Sequence, residues 1–69
     1  MNASPLRDFH IGESVVIAMF GEERVCRIVG RVMSWVVVMY DHGAPPPQGG
    51  PQTLRIALPG DTPARALLS

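Results

Sequence analysis

Six arginines, with no lysine, supply the basic side chains of this 69-residue chain. Arg24, Arg27 and Arg31 are the set whose spacing invites chemistry. Side chains alternate along an extended backbone, so Arg27 and Arg31 fall on one strand face, where Arg55 can join them from a later strand. Guanidinium groups hold phosphate or carboxylate through paired N–H donors, which makes this a candidate anion-binding patch. The plainer role is to solvate that face and pair with Glu22, Glu23 or a neighbouring subunit. Trp35 and Tyr40 are the other candidates for partner binding. Trp35 can stack on a base or a proline, or pack in a core or an interface. Tyr40, beside Asp41 and His42, either lines a ligand groove or ends the packing of its strand.

Other chemistry is missing. Cys26 is the only cysteine, nothing near it in sequence would activate a thiolate, and it is expected in the core as a small hydrophobe. With His10 and His42 it cannot close a zinc site, so neither metal nor cofactor is expected. Ser14, Ser34, Asp41 and Asp61 form no triad spacing with the histidines, and Gly49-Gly50 sits among prolines, the wrong setting for a phosphate loop. The reading leans away from an enzyme. Six acidic residues balance the six arginines, so the basic excess of a general nucleic-acid binder is absent. No run reaches membrane-spanning length, and Met1–Asp8 lacks the apolar stretch of a leader. A lone cysteine fits a reducing compartment. A cytoplasmic protein with no membrane partner is expected, and the Arg-, Ala-, Gly-, Pro- and Val-rich composition points to a bacterial source.

The elements that would position these residues are strands. Residues 1–8 read as a loose tail and 9–69 as one domain, with Phe9 and Ile11 plugging a core end and Gly12 free to take positive φ. Ser14–Phe20 and Arg24–Met33 form a hairpin around Gly21-Glu22-Glu23. Gly30, in mid-strand, predicts a bulge or a sharp bend. Trp35–Tyr40 is an unbroken apolar strand, with Trp35, Val37 and Met39 on one face and Val36, Val38 and Tyr40 on the other. Residues 41–52 hold four Pro and three Gly, a floppy connection without PxxP spacing. Thr53–Leu58 is the last strand, with Leu54, Ile56 and Leu58 inward. Asp61-Thr62-Pro63 then signals a helix start, so residues 64–68 are expected to make one helical turn that closes an end with Leu67 and Leu68.

This pattern predicts an all-β protein: a small SH3-like barrel of about five short strands with a C-terminal helical turn. A barrel this small buries one face of each strand. Leaving Val36, Val38 and Tyr40 wet would forfeit roughly 1.5–3 kcal/mol per side chain, close in sum to the whole stability of such a domain. The chain also has no disulfide to staple it. Self-association is therefore expected, with Val16, Phe20, Val36, Val38 and Tyr40 covered by another subunit.

Phe9-His10-Ile11-Gly12-Glu13-Ser14-Val15, followed by Ile28-Val29-Gly30, resembles the plasmid-borne type II dihydrofolate reductases. The resemblance implies an SH3-like barrel assembled as a homotetramer around one active-site pore. The family's functional Gln and Tyr have no match in Thr53-Leu54-Arg55-Ile56-Ala57, nor has its cofactor-contacting lysine, so the likeness carries the fold and not the activity. Gly12-Glu13-Ser14-Val15, Gly21 and Gly30-Arg31-Val32 are also similar to KOW-type modules, which bind RNA or proteins. The sequence thus favours a non-enzymatic, self-associating binding module with a protein or peptide partner. The alternatives are a reductase-like oligomeric enzyme and an RNA binder using Arg24, Arg27 and Arg31.

Overall fold

The computed structural model describes residues 3–42 and 52–67. The protein is all-β. Six strands form one antiparallel sheet in the order β1-β6-β2-β3-β4-β5. They are β1 (Ser4–Pro5), β2 (Ser14–Met19), β3 (Glu22–Val32), β4 (Trp35–His42), β5 (Gln52–Pro59) and β6 (Pro63–Ala66), with a 3₁₀ turn at Leu6–Asp8. Among the described residues β1 and β5 end the sheet without pairing to each other. The β5–β6 corner is instead tied to the start of the chain: Leu6 N–H donates to the Thr62 carbonyl and Arg7 N–H to the Gly60 carbonyl, both at 2.8 Å.

Two of these elements differ from the sequence expectation. The expected helical turn is a strand: Ala66 and Arg65 of β6 pair with Val15 and Val16 of β2. A helix of one turn forms a costly nucleus for almost no propagation, whereas the bare edge of β2 offers a ready ladder. Leu67, expected to close a core end, is exposed, and Leu68 lies outside the described residues. The start of the chain is no loose tail either. Ser4 and Pro5 pair with Ala64 and Pro63, and Leu6 is wholly buried in the core. Phe9 is buried beside it, but Ile11 points into solvent.

The β2–β3 hairpin turns on Phe20-Gly21, one residue earlier than the charged tip suggested, so Glu22 and Glu23 become part of β3. Both turn residues lie in the left-handed region, at φ 54° and 82°. That matches a two-residue hairpin turn whose twist suits the strands. Asp41, His42 and Gln52 extend the β4–β5 ladder into the expected loop, and the rest of that Pro/Gly connection, 43–51, lies outside the described residues.

One extra residue decides the faces of β3 and β4. Ile28 pairs with Val38, but Gly30 pairs with Val37, leaving Val29 as the bulged residue. The bulge that Gly30 predicted is present, and it reverses the phase. Val36, Val38 and Tyr40 turn inward and join Leu6, Val15, Ile17, Cys26 and Ile28 in the core. Their expected place on an outer, subunit-covered face is therefore corrected: Trp35, Val37 and Met39 take that side. On β5, Ile56 and Leu58 pack against the core and Thr53, Arg55 and Ala57 face out as expected, but Leu54, expected inward, is exposed at the open end of the ladder.

Gly60 is required by close approach. A Cβ there would lie 2.9 Å from the Ser34 carbonyl oxygen and 3.3 Å from Arg7 Cβ. The hairpin backbone at Ser34 and the 3₁₀ turn that carries Arg7 cannot both yield, so Gly60→Ala should destabilise by about 1–3 kcal/mol, read as a lower urea midpoint.

Candidate functional site

The bulge also separates the arginines. Arg27, before it, points to the outer face opposite Met39; Arg31, after it, pairs with Val36 on the core-facing phase. The two were expected on one face and are not. Arg55 flanks Met39 from the other side, so the row across β3, β4 and β5 reads Arg27, Met39, Arg55. Arg24 is otherwise engaged. Its Nη2 donates to Glu22 at 2.6 Å, and its guanidinium lies 5.8 Å from the Phe20 ring centroid and 5.9 Å from that of Tyr40. This is the plain role, with cation–π packing added. Arg65, which sequence reasoning passed over, pairs with Glu23 at 3.0 Å.

The outer face of the β3–β4–β5 ladder is the main uncovered feature. Its rows run Val32–Trp35–Pro59, then Gly30–Val37–Ala57, then Arg27–Met39–Arg55, and last Thr53 beside Asp41, bonded Oγ1 to Oδ1 at 3.0 Å. Trp35 is 47% exposed at one end. The face is therefore apolar at Trp35, apolar at Val37 and cationic at its flanks around Met39.

Of the residues expected at a subunit interface, Val36, Val38 and Tyr40 are core, and Val16 is buried within the chain between Val25 and Arg65. Phe20 is exposed at the hairpin tip, its ring 6.4 Å from that of Tyr40. Tyr40 does line a shallow depression of about 250 Å³ with Arg27, Met39, Asp41 and Thr53, although its own surface is almost fully covered. A larger cleft of about 460 Å³ opens at the β3–β4 hairpin end, lined by Arg7, Arg31, Met33, Trp35, Gly60 and Asp61 among others. Arg31 reaches it while donating Nη2 to the Phe9 carbonyl. Arg7 escaped the sequence reading because it sits in the segment taken for a tail.

Cys26 is buried, as expected, with its Sγ toward the Arg24 carbonyl at 3.7 Å. Burial pushes its thiol above the ordinary range, and the charge of Arg24 pulls it partway back. The folded chain then holds a proton that the unfolded chain releases above ~pH 8.5. Stability from this group is complete below that pH and falls as pH rises through it. The urea midpoint of the wild type should drop as pH rises above about 8.5 more than that of Cys26→Ala.

Among the described residues no three His, Cys, Asp or Glu side chains gather to hold a metal, and no helix is long and apolar enough to cross a membrane. No known protein family, curated protein or solved structure matches the chain.

Proposed function

We propose that the protein is a small self-associating β module, joined copy to copy through the outer face of β3–β4–β5, which serves in protein or peptide interactions. The observation that carries this reading is the apolar outer ladder on a 7.5 kDa chain, exposed at Val32, Trp35, Ala57 and Pro59 and half-buried at Val37 and Met39. A chain of this size has little core to spare and no disulfide to compensate. An exposed apolar sheet face of that kind marks an interaction site.

A second copy is the occupant that fits best, because the face is self-complementary. A two-fold axis through the Val37 row brings the Trp35 row of one copy over the Met39 row of the other. Arg27 and Arg55 then lie against the partner's Trp35, where a guanidinium over an indole gains about 0.5–2 kcal/mol. Asp61 sits at the same end as Trp35, adding an opposite charge within reach of that row. Sedimentation velocity at micromolar concentration tests the reading. A mass at least twice 7.5 kDa is expected, and a monomer would overturn it. Cytoplasmic location and a bacterial source belong to this reading as well.

A further inference from the structure

We propose that the cleft at the β3–β4 hairpin end binds a small planar anion: a carboxylate or phosphate carried on an aromatic or heterocyclic ring. The cleft takes in Arg31 and Val36, of the core-facing phase, together with Trp35 and Pro59 of the outer face, so it opens at the end of the sheet where the two faces meet. Its volume, about 460 Å³, is that of a small-molecule site.

Two cations line it, Arg7 and Arg31, and neither is engaged in an ion pair among the described residues; those pairs are Arg24–Glu22 and Arg65–Glu23. Arg31 is held by its bond to the Phe9 carbonyl and keeps further N–H donors for a ligand. Arg7 is anchored through its backbone to the Gly60 carbonyl at 2.8 Å, and Gly60 is anchored in turn to the Ser34 carbonyl at 2.8 Å. The two guanidinium-bearing segments are thus fixed relative to one another before any ligand arrives. Asp61 lines the same wall, and two arginines against one carboxylate leave positive charge in excess.

The apolar walls are the second observation. Trp35 is half exposed and Met33 is 97% exposed. Met33 also sits at φ 56°, a conformation disfavoured for any residue with a Cβ. Phe20 takes the same conformation in the other hairpin, so the angle belongs to the turn, and the exposed Met33 side chain contributes nothing to the core. With Trp35 it offers a flat surface and a soft one on which a ring can lie.

Trp35 is the only tryptophan, so its fluorescence reports on the cleft directly. The wild type and Val37→Glu should be titrated at fixed protein concentration with phenyl phosphate, benzoate, inorganic phosphate and benzylamine. Saturable binding of phenyl phosphate or benzoate is expected, with whichever binds more tightly identifying the anionic group. Inorganic phosphate should bind at least about tenfold more weakly and benzylamine not at all. Arg7→Gln should weaken the favoured ring anion about tenfold, the loss of one charge-assisted contact, while leaving the urea midpoint unchanged. Val37→Glu, which leaves Trp35 free of a partner, should bind at least as tightly as the wild type. The proposal is overturned if neither ring anion binds saturably, if benzylamine equals benzoate, or if Arg7→Gln binds normally. Binding lost in Val37→Glu alone would overturn it too, by placing the site between copies.

Discussion

Leu6→Ala is expected to lose about 2–5 kcal/mol, enough to unfold most of a domain this small at room temperature. Leu6 has no exposed surface and belongs to the same core cluster as Ile17, Ile28 and Val38. Its backbone N–H donates to the Thr62 carbonyl, so the surrounding chain is pinned and cannot collapse into the space left behind. A cavity that cannot relax carries the full cost. Far-ultraviolet circular dichroism during urea unfolding measures it. A loss below about 1 kcal/mol would show that the first eight residues are the loose segment their composition suggests. Removing residues 1–8 altogether should unfold the protein, because Leu6 goes together with the β1–β6 pairing.

The second large effect is on assembly. Val37→Glu places a carboxylate at the centre of the outer face, in the row of Gly30 and Ala57. In a self-associated form two such carboxylates would face each other across the axis, desolvated and without a partner. Burial of one unpaired charge costs several kcal/mol, so association should weaken by at least about a hundredfold. The fold itself should tolerate the change, since Val37 is on the outward phase. Sedimentation velocity beside circular dichroism separates the two: a monomer with a wild-type spectrum is expected. An unchanged oligomer would place the contact elsewhere, for instance around exposed Phe20.

Met33→Gly offers a smaller check on the hairpin. Glycine takes φ 56° without the clash that a Cβ suffers, so this variant should be more stable by about 1 kcal/mol. A higher urea midpoint is the expected reading. If stability rises while the tryptophan response to ring anions falls, the Met33 side chain serves the cleft and not the fold.

Much of the fold was legible because alternation and breakers agree. Cys26 and Ile28 against Arg27 marked the inward phase of β3, Gly30 marked the bulge, and Ile56 and Leu58 marked the inward phase of β5, although Leu54, expected with them, is exposed. The phase of β4 was not legible. Both of its faces are apolar, so only pairing can choose between them. Counted back from the Met33-Ser34 turn without a bulge, Ile28 would oppose Met39, and Trp35, Val37 and Met39 would face inward. The extra residue at Val29 moves Ile28 onto Val38 and exchanges the faces. A glycine announces that a strand will bend. It does not announce which residue is spare.

The C-terminal strand was hidden for a related reason. Asp61-Thr62-Pro63 carries genuine local helix-start chemistry, but β6 owes its existence to the distant edge of β2, which no local pattern records. The same holds for the candidate site. The anion-binding cluster expected of Arg24, Arg27 and Arg31 was read from spacing on one continuous strand. The bulge sends Arg31 to the cleft and leaves Arg27 outside, while Arg24 is taken by Glu22, Phe20 and Tyr40. Arg7 comes to the cleft through the 3₁₀ turn, from the far end of the sequence. What β4 leaves exposed is Trp35, on the face opposite to the one the sequence suggested.

The central claim is that copies meet across the Val37 row. A single cysteine at that row tests it most directly, since a two-fold axis brings residue 37 of each copy against its own counterpart. Val37→Cys, in a Cys26→Ala background, should be joined rapidly into a covalent dimer by a short bismaleimide, which spans the ~10 Å between packed sheet faces, while Ile11→Cys, exposed in the turn before β2, should not. Slow linkage at position 37, no faster than at position 11, would contradict the account.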